Sequence, residues 1–246
     1  AYNRGARDIT IRPGTYLLPA TGQNSIELPG WKNAVLRFKD CTVIFEETGH
    51  RPVLFSGCSN VTVEDATLQF SGISYTQGRI KATGEDSNGK YVDWQIDAGY
   101  PTDVNPARTT YNVIDQHTRL LKVSTGDCGA QEAALIGDRR YRLRRMNGQI
   151  GNVAVGDWLV CRAPGGSSII QLDKSQSCTL RRVTLKNAGF AAFFETGGEG
   201  GHHYADCRVT RGPKPAGANE EQLVACGADG FHSTGTHVGP TIARCI

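Results

Sequence analysis

The chain contains no run of about 18 apolar residues, which excludes a transmembrane helix. Its opening residues lack the charged stretch followed by an apolar one that marks a signal peptide, so none is expected and the chain reads as soluble, with no membrane partner. There is one methionine in 246 residues, which beside 30 glycines points to turns and strands rather than helices. A formal charge of +3 is too small to imply a nucleic-acid partner. No two cysteines stand at the C-x-x-C separation of a zinc or redox site, and no metal or cofactor is expected.

Glycine is plentiful, at 30 residues, and the chain is 39% hydrophobic, enough to bury a large core of turn-bounded strands. A cysteine repeatedly closes a polar phrase and opens a β-prone one, as in Cys58-Ser-Asn-Val-Thr-Val, Cys178-Thr-Leu-Arg-Arg-Val and Cys207-Arg-Val-Thr. Cys41-Thr-Val-Ile-Phe and Thr241-Ile-Ala-Arg-Cys245 echo the pattern. Units of roughly 20 to 40 residues with one strand at a fixed place predict a right-handed parallel β-helix, an all-β solenoid in which each rung buries its apolar side chains on its neighbours. The five repeat cysteines are expected at one place in successive coils, as a ladder of small buried thiols rather than disulfides. At the front, Asp8–Pro19 reads as strand, turn and strand, with Pro13-Gly14 at the turn.

Between Cys58 and Cys178 the rhythm stops. Alternating segments at Gly78, Tyr91–Ile96, Thr118–Val123, Tyr141–Arg144 and Asp157–Cys161 predict a small antiparallel barrel or sandwich, with a hairpin at Glu85–Lys90. The expected organisation is β-helix coils over 1–72, the insertion over 73–164, and coils again over 165–246. Neither end offers an amphipathic cap, so the solenoid is expected to continue on a missing segment or a second chain. The basic run Arg139, Arg140, Arg142, Arg144 and Arg145 reads as a solvated hairpin before it reads as an anion site.

The densest candidate chemistry is Cys226-Gly-Ala-Asp229-Gly-Phe-His232-Ser233. In a regular strand, residues three apart face opposite ways, so Asp229 and His232 meet only if Gly230 re-aims one of them. Composition alone favours a structural acid. Glu195, His202 and His203 flank the loop Gly197–Gly201, which reads equally as one wall of a sugar cleft and as a flexible polar turn. Adjacent histidines point oppositely along a strand and cannot chelate one ion. Arg211 and Lys214 are candidates for an acidic sugar, and His232 or His237 for sugar hydroxyls. Trp31, Trp94 and Trp158 are candidate stacking platforms, although Trp158 reads as core.

Gly-Ala-Asp229-Gly-Phe-His232 resembles the Asn-Thr-Asp-Gly element of polygalacturonase-like glycosidases, and more closely the Ala-Asp-Gly-x-His element of the α-1,3-galactosidase family. Tyr75-Thr-Gln-Gly78, Ile96–Pro101 and Gly156-Asp-Trp-Leu-Val resemble the barrel inserted in the β-helix of those galactosidases, and Phe194-Glu195-Thr and Cys207–Arg211 resemble the coils that follow. The resemblance implies an inverting glycoside hydrolase acting on α-linked galactosides or a related polysaccharide. Asp229 would be a catalytic carboxylate, and Glu195, His202, His203, Arg211 and His232 would be substrate contacts. It implies a carbohydrate partner and a secreted, periplasmic or cell-surface location. In those families an Asp-Asp pair follows on the next coil. This sequence reaches Ile246 before such a pair, which leads to the expectation that the fragment alone is inactive. Two other readings stay open: a non-catalytic β-helix that binds glycans or serves as a surface, and a polysaccharide lyase using Arg211 or Lys214. The lyase would need a calcium site, for which no clustered acids are evident.

Overall fold

The computed structural model describes residues 1–19, 24–46, 48–49, 51–148, 152–162 and 166–246. Among them helix is confined to the single turn Tyr2–Arg4, and no helix is long and apolar enough to cross a membrane. The protein is all-β, with two parallel sheets and one curled antiparallel sheet. Two compact units are formed: Ala1–Gly72 with Gly165–Gly212 and Ala225–Ile246, and Ile73–Pro164 with Pro213–Val224. The junction expected at 164 and 165 lies outside the described residues.

In the first unit the chain alternates between the two parallel sheets. The larger runs from Asp8–Thr10 and Gly14–Leu18 through Lys32–Phe45 and Ser59–Phe70, then the paired short strands Thr179–Arg181 and Thr184–Lys186, and on to His203–Ala205, Arg208–Thr210 and Thr241–Ala243. The smaller stacks Asn24–Pro29, Arg51–Ser56, Ile170–Asp173, Phe193–Thr196 and Phe231–Thr234. Parallel pairing in register stacks like upon like about 4.8 Å apart. One inward column therefore reads Leu36, Val63, Leu180, Tyr204 and Ile242, and another Val43, Leu68, Leu185 and Val209. Leu180 and Leu185 are fully buried, and each such side chain contributes about 1.5–3 kcal/mol.

The turns stack as well. Three columns hold left-handed backbone, with φ between 47° and 67°: Gly30, Gly57, Lys174, Gly197 and Gly235; Asn33, Asn60, Ser177 and Gly201; Asp40, Asp65, Arg182, Asp206 and Arg244. That conformation costs an L-residue about 1–2 kcal/mol, least for Asn and Asp, which explains the glycines and short polar side chains. Arg182 and Arg244 break the pattern but interleave with acids. Arg182 Nε donates to Asp65 at 2.6 Å and Arg244 Nε to Asp206 at 2.6 Å, so charge alternates from Asp65 onward.

Register corrects the single cysteine ladder. Cys41, Cys207 and Cys245 follow Asp40, Asp206 and Arg244 in one column, whereas Cys178 follows Ser177 at a different corner and Cys58 faces Ser175. The repeat marks the residue that turns inward after a left-handed corner, and each passage of the chain between the parallel sheets has more than one such corner. All eight cysteines are free thiols. Burial pushes Cys178 and Cys207 up to about 12, so neither is a nucleophile near neutrality.

The second unit is antiparallel. Its strands lie in the order Cys128–Gly129, Thr110–Ile114, Trp158–Arg162, Tyr75–Asp86, Gly89–Ile96, Arg140–Arg144 and Glu132–Gly137, over a core containing Tyr75, Trp94, Tyr111 and Trp158. The strand expected at Thr118–Val123 is a turn, nucleated by Asp115, whose carboxylate accepts the N–H groups of His117 and Thr118 at 2.9 Å. Pro213–Val224, assigned from sequence to the coils, belongs to this unit. Leu223 N–H donates to Gln77, Tyr75 OH to Gln222, and Arg79 pairs with Glu220. Gly99, at φ 80°, admits the approach, since a Cβ there would stand 2.6 Å from the Ala218 backbone.

The basic run is consumed within the unit. Arg139 donates to the backbone carbonyl of Tyr100. Arg140 and Arg142 pair with buried Asp93, Arg144 with Asp86, and Arg145 with Glu132, which removes the anion-site reading.

These pairs set an acid limit. Hydrogen bonds from Arg142, Arg182, Arg144 and Arg244 hold Asp93, Asp65, Asp86 and Asp206 below the ordinary carboxylate value. The unfolded chain therefore binds more protons as pH falls, and folding stability declines below about pH 4, through the window between unfolded and folded values. Asp97, raised by burial, acts in the opposite sense and softens the decline. Urea midpoints measured between pH 6 and pH 2.5 should stay level and then fall; a flat profile down to pH 2.5 would refute the assignment.

Candidate functional site

Asp229 lies just before the edge strand Phe231–Thr234, with its carboxylate exposed. Its backbone carbonyl accepts Ala192 N–H at 2.9 Å and that of Gly230 accepts Phe193 N–H at 3.0 Å, so the main chain is fixed. Asp229 Oδ2 stands 2.8 Å from His232 Nδ1. The meeting is achieved because Asp229 precedes the strand, where the alternation that would separate residues three apart does not yet apply. Where the carboxylate accepts in this contact, Nδ1 carries the hydrogen and Nε2 is the ring's remaining polar atom.

Register supplies neighbours that sequence reasoning missed. Phe194 pairs with His232 across the parallel ladder, and both point away from the core, since Phe193 and Phe231 stack inside at 4.7 Å. Phe190 joins them, with ring centroids 5.7 Å from Phe194 and 5.9 Å from His232; Phe194 and His232 are 5.4 Å apart. The result is a half-buried aromatic patch carrying a carboxylate at its margin. Such a surface can take the apolar face of a sugar ring while the acid and imidazole reach its hydroxyls.

The other candidates do not gather there. Glu195 and His202 are each 1% exposed and point into the first unit, because the alternation that turns Phe194 outward turns Glu195 inward. Tyr204 OH donates to Glu195 Oε1 at 2.8 Å, and Cys178 N–H donates to His202 Nδ1 at 3.1 Å. Burial lowers the His202 pKa, with Glu195 opposing. As surface substrate contacts these two are withdrawn: neither side chain reaches solvent. His203 is exposed, but on the other parallel sheet, and Arg211 is exposed in the loop after Arg208–Thr210. Trp94 and Trp158 are buried, and Trp31 is stacked on Tyr2 at 4.2 Å, which removes them as platforms near Asp229. Among the described residues no group of His, Cys, Asp and Glu is arranged to hold a metal ion.

A cavity of about 70 Å³ is lined by Glu195, Tyr204, Phe231, His232, Ser233, Pro240 and Ile242, so it adjoins the Asp229–His232 contact. Larger hollows are lined by Ile9, Tyr16 and Trp31 (about 630 Å³) and by Thr83, Tyr91 and Met146 (about 560 Å³), and neither contains a residue picked from sequence as a catalytic or sugar-contacting group other than Trp31.

No family model matches the chain, and no curated protein matches it. Among solved structures, one from Parabacteroides merdae ATCC 43184, assigned provisionally as a glycosyl hydrolase, is similar over 100% of this chain and 84% of that one, at 10% sequence identity and a TM-score of 0.40.

Proposed function

We propose that the protein is carbohydrate-active, that its first unit is a right-handed parallel β-helix, and that Asp229 acts with His232 on a saccharide laid against Phe190 and Phe194. The observation that carries this reading is the exposed carboxylate–imidazole contact at the edge of an outward aromatic patch. The Ala-Asp229-Gly-Phe-His232 element, which resembles that of the α-1,3-galactosidase family, directs the substrate choice to α-galactosides. In an inverting hydrolysis Asp229 would supply one of the two carboxyl functions, protonating the leaving oxygen or activating water. A protein acting on such glycans would work outside the cell or at its surface.

A second reading is a glycan-binding surface that does not cut. It is favoured by Glu195, which faces inward instead of standing beside Asp229. One experiment separates them. The protein is titrated with α-galactosyl oligosaccharides while its histidine NMR signals and the released sugars are followed. Products of inverted anomeric configuration support hydrolysis, whereas perturbation of His232 without products supports binding alone. No perturbation and no product across galactosides and acidic polysaccharides would overturn both.

A further inference from the structure

Leu28, Phe55 and Leu172 lead up one inward column to Glu195, and Ser233 follows it. A carboxylate thus continues a file of apolar side chains. Its Oε1 is satisfied by Tyr204 OH at 2.8 Å, while Oε2, buried, has no protein partner. His202 presents the complementary problem. Its Nδ1 accepts Cys178 N–H, so the neutral ring carries its hydrogen on Nε2, and that buried donor has no protein partner either. Unpaired polar atoms in an interior are disfavoured strongly enough that most are satisfied by protein or ordered water. Here an acceptor and a donor are both open.

The roughly 70 Å³ cavity onto which Glu195 faces is the right size for one solution only. A water needs about 10–15 Å³ of such space, and ligand pockets begin near about 300 Å³. Ser233, exposed at the cavity wall, provides a polar entrance.

We infer that one or two ordered waters on the Glu195 side of this cavity accept from His202 Nε2–H and donate to Glu195 Oε2; His202 does not itself line the cavity but shares a buried face with Tyr204, which holds Glu195. The waters complete an interior chain from the Cys178 amide through His202, water and Glu195 to the Tyr204 hydroxyl. His232 of the Asp229 patch also lines the cavity, but Glu195, His202 and Tyr204, on which this inference rests, take no part in the Asp229 reading, so either can fail alone. Its role is to hold His202 as the Nε2–H tautomer and Glu195 in one orientation, so that polar side chains can occupy a packed core column. The neutral ring agrees with the lowering of its pKa by burial.

The test is a high-resolution crystal structure together with 15N NMR of His202. Expected are water density within hydrogen-bonding distance of Glu195 Oε2 and linked to His202 Nε2, an Nε2-protonated neutral ring at pH 7, persistence of the density in Glu195→Gln, and its loss in Glu195→Leu. A cavity without density, a direct Glu195–His202 hydrogen bond, or an Nδ1-protonated ring would overturn the inference. Should Glu195→Leu fail to fold, the wild-type density and the tautomer still decide.

Discussion

Asp229→Asn should cut turnover on the proposed α-galactoside substrates by about 10²–10⁴-fold, the contribution expected of a positioned general acid or base. Asparagine keeps the shape and one acceptor for His232 but can neither hold nor release the proton. Because the carboxylate is exposed and its backbone is anchored through Ala192 and Phe193, the thermal midpoint should barely move. Saccharide affinity should fall far less than turnover, since Phe190 and Phe194 are untouched. The measurement is kcat and KM for both proteins alongside their melting curves. Undiminished kcat would remove Asp229 from the chemistry, and a fall in melting temperature matching the lost activity would recast it as structural.

Asp157→Ala should destabilise the second unit by about 3–5 kcal/mol, the usual result of stripping a buried ion of its partner. Asp157 is fully buried and its Oδ2 stands 2.5 Å from Lys122 Nζ; it also accepts the N–H groups of Ala154 at 2.9 Å and Gln116 at 3.2 Å. Removal leaves a mostly buried ammonium and two amides without acceptors. Against a total stability of about 5–15 kcal/mol this is a large fraction. Asp157→Asn, which keeps an acceptor, should lose less, and Lys122→Met in the alanine background should recover part of the loss. Urea denaturation followed by tryptophan fluorescence, to which Trp94 and Trp158 of this unit both contribute, reads it, and a shift under about 1 kcal/mol would refute the role.

The sequence displayed its strands and corners more openly than its contacts. The residues at left-handed corners are mostly Asn, Asp or Gly and could be seen as turns, but Lys174 and Arg182 could not, since only stacking on neighbouring coils holds them there. Asp229 and His232 stood out by type, and their pairing depended on where a strand begins. Phe190 and Phe194 stayed hidden because Phe193-Phe194 offers a ring to each face, and the step to the next coil is lengthened by Pro213–Val224. Glu195 was misplaced for the opposite reason: a charge reads as surface, and here the alternation set by Phe193 overrides it. Glu132–Gly137 lacks the alternation that marks a strand and is not among the segments expected; it is a strand because it pairs with Arg140–Arg144.

Across the insertion the partners in both parallel sheets keep one spacing: Cys58 to Ser175, Arg181 to Glu64 and Asn187 to Phe70 are each 117 residues apart, where a neighbouring coil such as Cys178 to His202 spans 24. Closing the longer interval from a disordered chain carries about 1.4 kcal/mol more loop entropy. Yet Tyr75 and Arg162 are antiparallel partners, so once the intervening residues have folded, that interval is bridged by a single strand spacing. Folded, the second unit thus delivers the two chain ends that lead to the parallel sheets already side by side, which removes most of that closure cost.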